Sequence, residues 1–161
     1  MRQSIQLKTK DINFSIRVGG IVFDNQHRVL VQTKKQLGFW FFPGGHNELG
    51  ESSPATIIRE FQEELETEVV VERLIWVIEN FYVESGTTFH ELGFYYLISF
   101  PRHSTIYKKE SLFTGANNDS NLLFKWHESN ELMSVDLYPK YIRDNLVQIP
   151  NFVTHVVIRQ E

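Results

Sequence analysis

The sequence contains no cysteine at any of its 161 positions. This absence excludes disulfides, thiolate metal ligands and cysteine nucleophiles, so any metal or catalytic site must use oxygen and nitrogen atoms. The chain also lacks an excess of positive charge, since its formal net charge is −4. It therefore has no overall basic field that would attract nucleic acid or an anionic membrane.

Long apolar runs are missing as well. No segment is long enough to span a bilayer, and the N-terminal residues show neither the continuous apolar stretch nor the cleavage site of a signal peptide. We therefore expect a cytoplasmic protein that binds no membrane and no specific nucleic acid. The oligomeric state, monomer or homodimer, is left open because nothing in the sequence identifies an interface.

The composition, 42% hydrophobic and 22% charged, is typical of a soluble globular protein, and the length fits one domain over residues 1–161. Alternating apolar residues predict a hairpin over 14–34, then strands over 68–83, 88–100 and 121–127. Helices are predicted at 129–135 and 139–146, and a long loop at 101–121. This order favours an α/β or α+β sandwich with a mixed sheet.

One central helix is predicted to start at Ser53, as a side-chain cap before Pro54, and to end near Glu66. At about 100° per residue, the helix presents one apolar arc to the core, formed by Ile57, Ile58, Phe61 and Leu65. A different arc carries three carboxylates, those of Glu60, Glu63 and Glu64. Arg59 lies beside them and is placed to pair with Glu51.

Carboxylates spaced three and four positions apart bring their oxygen atoms within reach of one shared cation. Mg²⁺ prefers such oxygen ligands, and Gly44 and Gly45 would let backbone approach the site closely. The alternative is a solvated acidic face, because repulsion between exposed carboxylates at about 6 Å is only ~0.7 kcal/mol per pair in water. Spacing alone leaves both interpretations open.

The order of these residues resembles the Nudix box, which has a glycine, a glutamate six positions later, and then an Arg-Glu-hydrophobic-any-Glu-Glu core. The matching residues are Gly45, Glu51, Arg59, Glu60, Phe61, Glu63 and Glu64. Two positions depart from the box: Glu66 replaces the usual glycine and Thr67 replaces a hydrophobic residue. The missing glycine puts the geometry of the helix exit in question.

The resemblance implies a Nudix-like α/β/α sandwich and a Mg²⁺-dependent hydrolase, with Mn²⁺ as a substitute, that cleaves the diphosphate linkage of a nucleoside diphosphate derivative. By the same resemblance, Glu63 and Glu64 are the principal metal ligands, Glu60 is a ligand or orients water, and the Gly44 carbonyl is a backbone ligand. The residues that support the site are then Gly45, Glu51 and Arg59.

Further candidates lie outside the box. Glu91 is the candidate general base, on the expectation that it faces the helix, and His90 must point to the opposite face of a regular strand. Arg17 is a candidate phosphate contact. Aromatic side chains that could stack on a base are Trp40, Tyr82 and Phe89, although aromatic residues in alternating strands usually belong to the core.

The sequence does not choose among a nucleoside triphosphate, a nucleotide sugar, ADP-ribose and a dinucleotide as substrate. Two other classes of function are also considered. A catalytically weak Nudix domain would bind nucleotide as a sensor, without turnover. An acidic interaction module would show no metal dependence at all.

Overall fold

The computed structural model describes residues 2–116 and 121–159. The strands are β1 (Gln6–Lys8), β2 (Ile12–Ile21), β3 (Arg28–Lys34), β4 (Trp40–Phe41), β5 (Gly44–His46), β6 (Val70–Glu84), β7 (Thr87–Ser99), β8 (Phe113–Thr114), β9 (Leu122–Glu128), β10 (Leu137–Tyr138) and β11 (Thr154–Arg159). The α-helices are α1 (Ser53–Leu65) and α2 (Lys140–Asn145), and 3-10 turns cover Thr105–Lys108, Leu132–Ser134 and Leu146–Gln148. None of these described helices is long and apolar enough to cross a membrane.

The strands form two sheets. The larger sheet has the order β1-β2-β7-β6-β11, with β5 also paired to β2, and the smaller has the order β10-β4-β3-β9-β8. Both sheets are mixed, because β2 runs parallel to β7 and β10 parallel to β4 while β6 and β7 form an antiparallel hairpin. The predicted mixed sheet is thus present, divided into two sheets.

Two apolar clusters lie on opposite faces of the sheets. Adjacent residues of β7 show the division, because Tyr96 belongs to the cluster that packs on α1 and Tyr95 to the cluster that packs on α2. Successive side chains of a strand point to opposite faces, so each helix covers a different side. The resulting α/β/α layering confirms the predicted fold class.

Helix α1 begins one residue earlier than the sequence suggested. Ser52 is the N-cap, and its hydroxyl accepts a hydrogen bond from the Ala55 amide at 3.4 Å, whereas Ser53 is already helical and its hydroxyl lies 2.6 Å from that of Tyr96. The predicted core position Ile58 is wrong, since this side chain is 49% exposed. Thr56 is buried in its place and hydrogen-bonds within the preceding loop.

The helix ends at Leu65, and the next residue, Glu66, adopts the left-handed conformation, with φ 48° and ψ 38°. Its amide donates to the Gln62 carbonyl at 3.2 Å, so the turn that normally uses glycine is kept with a glutamate. A Cβ in this region costs about 1–2 kcal/mol. Glutamate in place of glycine at position 66 therefore makes the C-terminus of α1 less stable but leaves its position unchanged.

Other sequence predictions are mixed in outcome. The two strands predicted over 14–34 form as β2 and β3, but the predicted hairpin is wrong, because they belong to different sheets and meet only at the bridge between Phe23 and Val29. The long strands and α2 are confirmed, whereas residues 129–135 form only a 3-10 turn rather than a helix. The predicted loop 101–121 contains a 3-10 turn and β8 where it is described, and its residues 117–120 lie outside the described part. Strands β1 and β11 were not predicted.

Candidate metal centre and adjoining cavity

Arg59 organises the loop between β5 and α1. Its guanidinium donates to both carboxylate oxygens of Glu51, at 2.9 and 3.0 Å, and to the His46 carbonyl at 3.1 Å. The Thr56 hydroxyl donates to Glu51 at 2.8 Å and accepts from the Asn47 amide at 2.6 Å. The Arg59 hydrogen bonds lower the pKa of Glu51, and those of Glu51 raise the pKa of Arg59. Paired charge-assisted bonds of this kind fix the shape of the loop.

The three α1 carboxylates have different surroundings. Arg59 Nη1 donates to Glu60 at 2.7 Å and to Glu63 at 3.3 Å, and the Arg2 side chain also donates to Glu63. Glu60 is nevertheless buried enough that its pKa is raised. For Glu64, burial first and the nearby Glu60 second raise the pKa to about 8.

The glycine pair allows β5 to approach both α1 and β2. A Cβ on Gly45 would lie 2.1 Å from the Glu60 carboxylate, and a Cβ on Gly44, whose φ is +142°, would lie 2.1 Å from the Val18 carbonyl oxygen. Real Cβ atoms do not make contacts this short. Glycine at position 45 therefore lets the β5 backbone lie against the acidic face of α1, and glycine at position 44 lets it lie against β2.

The donor set has the chemistry of a site for a hard divalent cation, because Glu60, Glu63, Glu64 and the Gly44 carbonyl offer oxygen ligands only. Within residues 2–116 and 121–159, however, no group of three or more acidic or histidine side chains is arranged to hold a metal. Arginine side chains occupy oxygens of Glu60 and Glu63 instead. Two buried like charges, those of Glu60 and Glu64, are the feature that a cation would relieve.

A cavity of about 510 Å³ lies between the two sheets, beside this acidic face. Arg17 projects into it from β2, donates to the Phe42 carbonyl at 3.3 Å and places its guanidinium 4.9 Å from the centre of the Phe41 ring. Arg17 also lies close enough to Glu64 to oppose the rise in its pKa. The wall includes the cations Arg17 and Lys34, the aromatic residues Phe39, Phe41, Tyr82, Tyr95 and Tyr138, and the polar residues Asn80, Glu84 and Glu91.

The cavity brings together only some of the substrate-binding candidates. Arg17 and Tyr82 line it, whereas Trp40 and Phe89 do not, as far as the described residues show. Trp40 packs edge-on against His127 at 5.3 Å between ring centres, and Phe89 stacks on Tyr82 at 4.9 Å. Both aromatic rings therefore support the structure around the cavity.

Glu91 lies in the cavity, and the expectation that it faces α1 is wrong. It projects from the same face of β7 as Tyr95, opposite to Tyr96, which contacts α1. Burial raises the pKa of Glu91, and the nearby Arg17 opposes that rise. His90 points the other way, as predicted, and stacks on Phe81 at 4.2 Å.

Lys34, Asn80 and Tyr138 are cavity residues that sequence reasoning missed. For Asn80 a signal existed, because it is the cross-strand partner of Glu91 in the β6–β7 hairpin. No sequence pattern places Tyr138 at the cavity, since it reaches the cavity through the parallel pairing of β10 with β4.

Comparisons with known proteins agree with this geometry. The model of the NUDIX domain matches residues 13–145. The chain is 27% identical over 125 residues to the uncharacterized Nudix hydrolase YvcI of Bacillus subtilis (strain 168), a match that covers 76% of this chain and 72% of the relative. The chain thus belongs to the NUDIX domain family.

Solved structures share the fold. A crystal structure of a UDP-X diphosphatase superposes with a TM-score of 0.62 at 16% identity, covering 93% of this chain and 68% of that one. The mutator MutT protein of Bacillus halodurans superposes with a TM-score of 0.59 at 20% identity, covering 88% and 89%. At such identities these likenesses describe the fold alone.

Proposed function

We propose that this protein, as one domain over the whole chain, is a Nudix pyrophosphohydrolase that uses Mg²⁺ or Mn²⁺ to hydrolyse the diphosphate linkage of a nucleoside diphosphate derivative. The observation that carries the proposal is the pair of partly buried carboxylates Glu60 and Glu64, whose pKa values are raised by burial, together with the cavity-wall residues Arg17 and Lys34, which act electrostatically on Glu64. An arrangement that raises the pKa of two neighbouring carboxylates is unfavourable for folding at neutral pH. The same arrangement suits the binding of a cation together with a polyanion.

Glu60, Glu63 and Glu64, with the Gly44 carbonyl, would hold the metal. A bound divalent ion would neutralise phosphate charge and lower the pKa of an attacking water. The Glu51–Arg59 pair holds the loop so that the β5 backbone stays against α1. When Glu60 and Glu63 turn toward a metal, Arg59 keeps its two bonds to Glu51.

Arg17 and Lys34 are placed to contact the phosphates, because both lie in the cavity wall and both act electrostatically on Glu64. The phosphates would therefore lie where the cavity meets α1. The nucleoside would occupy the deeper part, where Tyr82 and Phe41 offer ring faces for stacking.

The test is hydrolysis of a panel of nucleoside triphosphates, nucleotide sugars, ADP-ribose and dinucleotides with Mg²⁺ or Mn²⁺, with products identified by chromatography. We expect metal-dependent cleavage that Glu64→Gln abolishes. Glu68→Gln is the matched control, since it removes an exposed carboxylate just beyond α1 and should leave turnover unchanged. Turnover by Glu64→Gln at the wild-type rate, or equal rates with EDTA, would contradict the proposal; nucleotide binding without any turnover would indicate a sensor.

A further inference from the structure

The inner end of the cavity presents an ordered set of hydrogen-bonding groups. Asn80 and Glu91 are directly opposed partners on β6 and β7, so their side chains project side by side from the same face of the sheet. Both line the cavity, together with Tyr82, two positions beyond Asn80 on the same face of β6. A flat ligand that stacks on Tyr82 would direct its edge toward these two side chains.

The partners of these groups within the protein are incomplete. The side-chain oxygen of Asn80 is buried without a hydrogen-bond partner, so the amide nitrogen is the polar atom that Asn80 offers to the cavity. Within the described part of the chain, Glu91 forms no ion pair within 4.0 Å; the nearby cation is Arg17, which donates to the Phe42 carbonyl. Polar groups at the wall of a closed site are normally hydrogen-bonded, and the Glu91 carboxylate and the Asn80 amide nitrogen are the two that a ligand in the cavity can contact.

Together the two side chains offer one N–H donor beside the two acceptor oxygens of a carboxylate. The complementary edge has one acceptor followed by two adjacent N–H donors. Guanine has this edge, in O6, N1–H and the N2 amino group. Adenine and cytosine each present a single amino donor next to acceptors, and uracil presents one N–H between two carbonyls, so none of them can give a carboxylate two parallel hydrogen bonds.

We propose that Asn80 and Glu91 read the base of the substrate and select guanine nucleotides. Glu91 accepts hydrogen bonds from N1–H and the N2 amino group, and Asn80 donates to O6. The inference rests on the proposed function, because it places the phosphates toward Arg17, Lys34 and α1. A volume of about 510 Å³ is within the range of sites for small ligands.

This assignment gives Glu91 a role in specificity instead of the role of general base expected from the sequence. The two roles differ in what they predict. A general base affects the turnover of every substrate alike, whereas a base-reading carboxylate affects the affinity for one base and leaves the others nearly unchanged.

The test is the binding of GMP, IMP, AMP and UMP to the metal-free protein in EDTA by calorimetry. GMP should bind about tenfold more tightly than AMP or UMP, and IMP, which lacks the N2 amino group, should fall between. Glu91→Gln should weaken GMP about tenfold and remove the GMP–IMP difference while leaving UMP unchanged. Glu68→Gln, which removes an exposed carboxylate that does not line the cavity, is the matched control and should change no affinity by more than about twofold.

AMP or UMP binding as tightly as GMP would overturn the proposal, as would unchanged GMP affinity in Glu91→Gln. A uniform loss of turnover on all substrates, without any change in binding, would assign Glu91 to catalysis. Because nucleotide binding is measured without metal, the affinities still test the role of Asn80 and Glu91 even if the protein hydrolyses none of the substrates. Asn80→Ala is the second variant, expected to weaken GMP and IMP equally because both carry O6.

Discussion

Replacing Glu64 by glutamine should stabilise the metal-free protein while removing its response to metal. Burial and Glu60 raise the pKa of Glu64 from 4.5 to about 8, so folding at neutral pH must either bind a proton or bury an unfavourable charge. For these two pKa values the cost at pH 7.5 is roughly 4 kcal/mol as an upper limit. Because Glu64 is only partly buried, relaxation and water reduce this, and we expect a gain of about 1–2 kcal/mol in Glu64→Gln.

The pH dependence follows from the direction of the shift. A carboxyl whose pKa is higher in the folded state is neutral in both states below pH 4, so the two proteins should then be equally stable. As the pH rises toward 8, the wild type should lose stability relative to Glu64→Gln. In EDTA at pH 7.5 the variant should melt about 2–8 °C higher, since 1 kcal/mol corresponds to roughly 2–4 °C at this size.

Metal should offset most of this difference in stability. If Mg²⁺ binds with a dissociation constant near 1 mM, about 10 mM Mg²⁺ would stabilise the wild type by ~1.4 kcal/mol, and Glu64→Gln should show little of this gain. Differential scanning fluorimetry at pH 4.5, 6 and 7.5, with EDTA or Mg²⁺, measures both effects. A variant less stable than the wild type in EDTA at pH 7.5, or one stabilised equally by Mg²⁺, would refute the reasoning.

Two further changes test the glycine positions of the site. Glu66→Gly removes a Cβ from the left-handed helix exit and should stabilise the protein by about 0.5–1 kcal/mol in chemical denaturation; no gain would mean that Glu66 is not strained there. Gly45→Ala places a methyl group against the Glu60 carboxylate and should weaken Mn²⁺ binding about 10–100-fold in a paramagnetic titration, with the fold retained by circular dichroism; unchanged affinity would show that Glu60 does not ligate from its present position.

Local sequence features were sufficient to predict the carboxylates of α1 and the ion pair that supports them. The period of α1, its serine cap and the Glu51–Arg59 spacing place the carboxylates without knowledge of the rest of the chain. The cap was misplaced by one residue because Ser52 and Ser53 are both capable of it. Ile58 was assigned to the core because helical period alone does not show how wide the buried arc is.

The features that could not be predicted from the sequence are those that depend on packing between distant parts of the chain. Alternation places His90 and Glu91 on opposite faces of β7, but it does not say which face meets α1, since that depends on the layering of two sheets. Trp40 is aromatic and close to the box, yet the pairing of β4 between β3 and β10 turns it toward His127. Each residue of β11 pairs in parallel with a residue of β6 that lies 78 positions earlier, and no local sequence pattern predicts such a partner.

The contrast with Asp24 shows why the cavity carboxylates point to ligand binding. Asp24 is 9% exposed, and its oxygens accept from Arg28 Nε at 2.6 Å and from the backbone amides of Gln26 and Arg28 at 2.9 and 2.8 Å. That carboxylate stabilises a turn, because every partner it needs is within the protein. Among residues 2–116 and 121–159, Glu64 and Glu91 have no comparable set of donors, and burial raises the pKa of each. A carboxylate that is unfavourable for folding and lies beside a cavity requires a partner from outside, a cation for Glu64 and a donor edge for Glu91.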